Sequence, residues 1–243
     1  GKEPSVRRKK SNVDLNACDE DFLLLLGNRY KLLIDRFKGS LPSAYHRYIT
    51  HIQDVQPDGN CGFRCVAESL GWGEENWLFI RRQLMEELDE NKDQWKQILN
   101  CHDKGWYDEL YSTINWTGTG PAPMRCWMDM PTTGLLIAQK FGVVVQFLCI
   151  GGSESETFFP MFNGPNINPE HMIITFAFVN RGHFIVLRLA EDSPMPIPNP
   201  TWREWRDETA TKWETMYKDR IETGQEFTPT KKPGQPKVYV NLL

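Results

Sequence analysis

The sequence lacks the features that would place a chain of this size in a special class. No apolar run approaches the ~20 residues needed to cross a bilayer, and the basic cluster Arg7-Arg8-Lys9-Lys10 is not followed by a signal-peptide core. A soluble protein without membrane contact is expected, intracellular, in the cytoplasm and/or the nucleus. The first residue, Gly1 rather than Met, fits a piece of something longer. The six cysteines (Cys18, Cys61, Cys65, Cys101, Cys126 and Cys149) never fall at Cys-x-x-Cys spacing, so neither a disulfide framework nor a zinc site is indicated. The adjacent Cys101-His102 supplies two ligand types without two more. No strong charge of one sign is present: the formal net charge is -4, which gives no drive toward nucleic acid, and direct binding to it is not expected. The basic cluster is expected as a solvated tail before a nuclear localisation signal. No internal repeat is found.

What is present is an ordinary globular composition. With 243 residues, 40% hydrophobic and 25% charged, the chain can bury one sizeable core. Residues 1–18 are polar and expected to be a disordered tail. Phe22, Leu26, Tyr30, Leu33 and Phe37 recur at three or four residues behind the acidic Asp19-Glu20-Asp21, which predicts a helical extension over 19–40. The main domain is assigned to 41–192. Within it Trp77, Ile80, Leu84 and Leu88 form a helical stripe, and Thr132–Phe141 forms a short buried helix. Strands are expected over 143–150, 158–162, 172–179 and 183–189. Helices first and strands last give an α+β layout, with a small, mostly antiparallel sheet packed between helices. Four prolines between Pro194 and Pro200 predict a linker over 193–200. An amphipathic helix over 201–223, heavy in tryptophan, and a tail over 224–243 complete the chain. The tryptophan stripe is expected to fold back on the main domain, with partner docking as the alternative.

The most informative stretch is Gln56-Pro57-Asp58-Gly59-Asn60-Cys61-Gly62-Phe63-Arg64. Pro57, Asp58, Gly59 and Asn60 are turn residues, and Phe63, Val66, Ala67 and Leu70 then follow at helical spacing. Cys61 thus falls in the first turn of a helix, where the macrodipole and free N–H groups favour a thiolate and can hold an oxyanion. A nucleophile and a structural core cysteine fit this pattern alike. Cys65, one turn later beside Val66 and Ala67, is read as core.

Far along the chain, Asn180-Arg181-Gly182 is a turn, and His183 opens a run of β-branched and aromatic residues. An imidazole at the rim of a sheet is the base that a cysteine nucleophile requires, and a satisfied edge histidine is the plainer reading.

Taken together, Asp58-Gly59-Asn60-Cys61 with Phe63, the late His183-Phe184, and the middle segment Trp127 with Met130–Ala138 and Val143–Val145 resemble the ovarian tumour (OTU) family of papain-like cysteine proteases, most of which are deubiquitinases. The lead-in Leu41–Ile49 further resembles OTU domains carried by mobile elements in plants and fungi. The resemblance implies a thiol-dependent hydrolase acting after the C-terminus of ubiquitin, polyubiquitin or a ubiquitin-like modifier, with no cofactor and no metal. It implies Cys61 as nucleophile, His183 as base and Asp58 as the active-site acid, with Asp54 as an alternative acid. Gly59 and Asn60 would frame the oxyanion loop, and Trp127, Gly182 and Phe184 would line the channel for the modifier's tail. Many family members carry Asp or Asn two residues after the histidine. Here Ile185 stands there and can form no side-chain hydrogen bond. That departure makes a ubiquitin-binding module with little turnover the rival expectation. An interaction domain of a transposon-related protein is a second.

Overall fold

The computed structural model describes residues 15–150, 155–166 and 171–227. Most of the two expected tails, 1–14 and 228–243, lies outside them. The first described element is α1 (Leu15–Phe37), which runs into a 3₁₀ turn ending at Ser40. A second 3₁₀ stretch, Ser43–Tyr48, leads into strand β1 (Ile49–Gln53) and then α2 (Cys61–Ser69). Three helices follow: α3 (Trp77–Glu90), α4 (Lys92–Leu99) and α5 (Trp106–Ile114). Then come α6 (Thr132–Phe141), β2 (Val144–Leu148), β3 (Glu156–Phe158), β4 (Ile173–Val179) and β5 (His183–Leu189). The described chain closes with α7 (Pro200–Trp205), α8 (Thr211–Met216) and α9 (Lys218–Gln225).

The strands form one sheet in the order β1-β5-β4-β2-β3. Only the β2–β4 pair is parallel, and the others are antiparallel, as the α+β expectation required. Strand β5 is interior and apolar on both faces, so its side chains alternate between two cores. Phe184 and Val186 join the main core with Phe63, Val66, Phe147 and Phe176. Ile185 and Leu187 join a second core with Phe37, Leu41, Tyr45 and Ile52 from the N-terminal segment. The sheet is therefore sandwiched, with α2 and its neighbours on one side and the 30–52 region on the other. Each large apolar side chain buried this way contributes about 1.5–3 kcal/mol.

Several elements differ from the sequence reading. Helix α1 begins at Leu15, inside the expected 1–18 tail, and the strand expected over 158–162 runs instead over Glu156–Phe158. Strand β1 was not expected, because Thr50, His51 and Gln53 interrupt its apolar pattern, as suits an edge strand with a mostly exposed face. Helices α4 and α5 were not assigned either, although Trp95, Ile98, Leu99, Tyr107, Leu110 and Ile114 are buried. The largest correction concerns the C-terminal region. Residues 193–199 are no free linker: Thr157 donates its N–H to Ile197 O at 2.9 Å, its Oγ1 to Pro196 O at 2.6 Å, and accepts from Asn199 N–H at 2.9 Å. Proline carries no N–H, so this proline-rich strand suits a sheet margin, and it covers the outer edge of β3.

The expected single helix over 201–223 is broken into α7, α8 and α9. The break places Trp202, Trp213 and Tyr217 around Phe159, with ring centroids 5.0 to 5.9 Å away. Trp202 Nε1 donates to Pro160 O at 3.0 Å, and Trp213 Nε1 to Asn163 O at 2.6 Å. The aromatic stripe folds back on the domain and is part of its core. Trp202→Ala is accordingly expected to lower stability by about 3–5 kcal/mol, measured as a shift of the single urea-unfolding midpoint. An independent appendage would leave that midpoint unchanged.

Candidate active site

The cysteine loop is built by two arginines. Asp58 accepts from Arg64 Nε at 3.0 Å and Nη2 at 2.6 Å, and its Oδ1 also takes the Asn60 N–H at 3.0 Å. Burial alone would raise the Asp58 pKa, but the hydrogen bonds from Arg64 and Asn60 outweigh it and hold the carboxyl below its ordinary range. Asn60, fully buried, accepts from Arg81 Nη2 at 2.8 Å and Nε at 3.1 Å. Arg81 is itself 1% exposed and donates further to the carbonyls of Thr113, Ile114 and Cys126. It also lies over the Phe63 ring, 3.8 Å from the centroid. Its burial draws the guanidinium pKa down to about 10.

Asn60 occupies the N-cap position of α2 yet makes no capping bond, because Arg81 holds its side-chain oxygen. The first-turn N–H groups of α2 therefore receive no side-chain cap and keep their capacity for an anion. Gly59 has φ +78°, and a Cβ there would stand 2.4 Å from Ala122 O and 2.6 Å from Trp127 Nε1. That close packing is why the position excludes a side chain. Trp127 donates Nε1 to Ala122 O at 3.1 Å, so it braces the cysteine loop from outside.

Cys61 begins α2 and is 5% exposed. Burial raises its thiol pKa above the ordinary value. The N–H groups of Phe184, Gly62 and Cys61 itself pull it down, and the negative charge of Asp58 pushes it up again. The outcome differs from the thiolate expected at a helix N-terminus: burial outweighs the N–H groups and holds the thiol pKa above its ordinary value. The influence of the Phe184 N–H on the sulfur sets Cys61 against the start of β5, the strand that His183 opens.

His183 donates Nε2–H to Asp54 Oδ1 at 2.6 Å. Its Nδ1 is buried and has no hydrogen-bond partner among the described residues. Nε2 carries the proton because a carboxylate only accepts, so in the neutral imidazole the lone pair lies on Nδ1. Asp54 follows directly on β1, whose last paired residue, Gln53, stands opposite Val186 of β5. Its Oδ1 also accepts from Val55 N–H at 2.9 Å, and its Oδ2 from Arg36 Nη1 at 3.1 Å.

Of the residues singled out from sequence, the fold joins His183 to Asp54 and starts the Cys61 helix against the strand that His183 opens. Asp58 faces Arg64 and not the imidazole, so the carboxylate at His183 belongs to Asp54, supplied by an edge strand that the sequence did not reveal. Asn60 holds the loop by accepting from Arg81, and Gly59 by packing closely against Ala122 and Trp127. Phe184 does not line a channel with its ring, which is buried against Phe147, Phe176 and Phe178, and its backbone N–H is what meets the sulfur. A Cβ on Gly182 would lie 3.8 Å from the Trp127 ring, an ordinary contact, so packing does not require glycine there. Ile185 points into the second core and has no bearing on the imidazole.

Arg64, Arg81 and Arg36 were missed. Arg81 carried a signal, since it lies on the same face as Trp77, Ile80, Leu84 and Leu88, and a cation on an apolar stripe marks a buried polar network. Among the described residues no cluster of His, Cys, Asp and Glu could hold a metal ion.

No family model matches the sequence, and no curated protein matches it. Solved OTU-domain structures are similar to it. The viral OTU domain protease from Qalyub virus is 15% identical, with 60% of this chain and 87% of that chain covered at a TM-score of 0.41. The OTU domain of OTUD1 is 15% identical over 60% of this chain and 91% of its own, at 0.38. The Hazara virus OTU, solved bound to ubiquitin, is 14% identical over 62% of this chain and 86% of its own, at 0.41.

Two predictions follow from the loop. Asp58 is ionised more readily folded than unfolded, so its contribution to stability is complete above its unfolded pKa of about 3.9 and is lost as pH falls through its lower folded value. Asp58→Asn should therefore lower the urea midpoint at pH 7 and differ little from the parent near pH 2. A gap that persists undiminished in acid would contradict the linkage. Arg81→Met leaves Asn60 and three carbonyls without their donor and should cost about 3–5 kcal/mol, read in the same unfolding experiment.

Proposed function

We propose that this chain is a cysteine-dependent hydrolase of the OTU type, cleaving peptide or isopeptide bonds after the C-terminus of ubiquitin or a ubiquitin-like modifier. The observation that supports the reaction class is the clamp of His183 through Nε2 to Asp54 at 2.6 Å, with Nδ1 left buried and unpartnered at the entry of the strand on which the Cys61 helix packs. The choice of modifier rests on the resemblance of Asp58-Gly59-Asn60-Cys61 and His183-Phe184 to the OTU motifs.

In this mechanism the resting thiol needs a base. Nδ1 of His183 takes the Cys61 proton as the sulfur attacks the scissile carbonyl, and the imidazolium so formed is held by Asp54. The uncapped N–H groups at the start of α2 receive the tetrahedral oxyanion, each donor worth about 3 kcal/mol in the transition state. The imidazolium then returns its proton to the departing lysine amine, leaving a thioester on Cys61. Water, deprotonated by the same imidazole, attacks the thioester, releases the modifier's carboxylate and restores the thiol. No cofactor takes part.

The rival reading, a binding module with little turnover, was motivated by Ile185. That motive falls away where β1 supplies the acid from outside the β5 strand. The mobile-element affiliation plays no part in the chemistry, and in the lead-in Leu41, Tyr45, Tyr48 and Ile49 serve packing.

The test is reaction with ubiquitin bearing an electrophile at its C-terminus, followed by turnover of a diubiquitin panel. The chain should form a covalent adduct that Cys61→Ala abolishes and Cys65→Ala retains. His183→Ala and Asp54→Ala should each lower kcat by about 10²-fold or more. Asp58→Ala should act chiefly through stability. Ubiquitin binding without any Cys61-dependent adduct would establish the rival instead.

A further inference from the structure

The N-terminal helix ends against both elements that carry the proposed acid and base. Arg36, in its last turn, donates Nη1 to Oδ2 of Asp54 at 3.1 Å, and the other oxygen of that carboxylate serves His183 at 2.6 Å. Three residues past α1, Ser40 donates Oγ–H to Asn180 Oδ1 at 2.9 Å and accepts from Asn180 N–H at 3.2 Å. Asn180 and Arg181, at φ 51° and 57°, form the left-handed turn that delivers His183 to the start of β5. The segment that bears these two contacts is fixed in place: Phe37 and Leu41 are buried in the second core, and Tyr30 donates its hydroxyl to Ile49 O at 2.6 Å.

A carboxylate held through one oxygen can turn about its terminal torsion and change its hold on the imidazole. A donor on the second oxygen stops that rotation. A turn of two left-handed non-glycine residues is likewise a costly conformation that needs outside support. We propose that Arg36 and Ser40 are positioning residues for the Asp54–His183 pair, so that the N-terminal segment completes the catalytic unit. This rests on the hydrolase reading given above. Arg36 is 61% exposed in its side chain, so water screens its charge and its directional hydrogen bond carries the effect.

The experiment uses the full chain and its Arg36→Ala, Arg36→Lys and Ser40→Ala variants. Two readouts are taken: steady-state turnover of a ubiquitin C-terminal fluorogenic substrate, and the downfield Nε2 proton of His183 in ¹⁵N-histidine protein, assigned by its loss in His183→Ala. Arg36→Ala and Ser40→Ala should each lower kcat about twofold to fivefold with KM and the urea midpoint nearly unchanged. The Nε2 resonance should move and broaden, and Arg36→Lys should recover most of both. Parental kcat together with a parental resonance in both alanine variants would overturn the proposal, as would a loss confined to KM. If the parent forms no Cys61-dependent adduct, the hydrolase reading fails by itself. The resonance still decides whether the N-terminal segment orders the pair.

Discussion

Strand β5 is buried on both faces and hydrogen-bonded along both edges, and the placement of every reactive group follows from that constraint. Its alternating side chains serve two cores, so a slip by one residue would exchange Phe184 and Val186 with Ile185 and Leu187 and disrupt both. With the register fixed, His183 must stand at the strand's entry, and the antiparallel β1 must end where Asp54 meets the imidazole. The main core beneath β5 also seats α2, which brings Cys61 to the Phe184 N–H. A contact between residues 129 positions apart is thereby set by sheet geometry and needs no flexible adjustment.

Two aspartates four residues apart have different work, and what decides it is the group each one faces. Asp58 meets a guanidinium from the helix that it precedes and stabilises the loop as a local ion pair. Asp54 meets an imidazole across a strand pair. The buried Arg81 adds a third layer by joining the cysteine loop to the carbonyls of Thr113, Ile114 and Cys126. Desolvating a guanidinium is costly, and here five hydrogen bonds and the face of Phe63 offset that cost. The return is a cysteine loop that cannot drift from the wall carrying Trp127.

The sequence was most legible where one period dominates. His183–Leu189 and Thr132–Phe141 have the boundaries that their apolar runs implied, and Trp77 to Leu88 formed the expected stripe. Strand β1 was invisible because an edge strand with one exposed face needs no apolar run, and its partner is remote in sequence. The acid at His183 was ambiguous for the same reason, since only the β1–β5 register separates Asp54 from Asp58. Prolines at 194, 196 and 198 were read through their effect on helices, whereas here the segment lies along a sheet margin, where Pro196 and Ile197 offer carbonyls to Thr157. Cys61 and His183 could be named because the turn chemistry and strand start around them are local. Arg36 and Ser40 could not, because contact with Asp54 and Asn180 is made only in three dimensions.

The enclosure of Cys61, only 5% exposed, protects the sulfur as well as placing it. Peroxide and small alkylating agents attack the sulfur anion, and a thiol enclosed by the sheet and α2, its pKa pushed up by that burial, presents little of it. Under the proposed mechanism, reactivity is withheld from adventitious electrophiles in solution and released when an occupied site draws the proton to His183. The burial that holds Cys61 in the core of α2 and β5 thereby also shields it from the solvent in which such reagents travel.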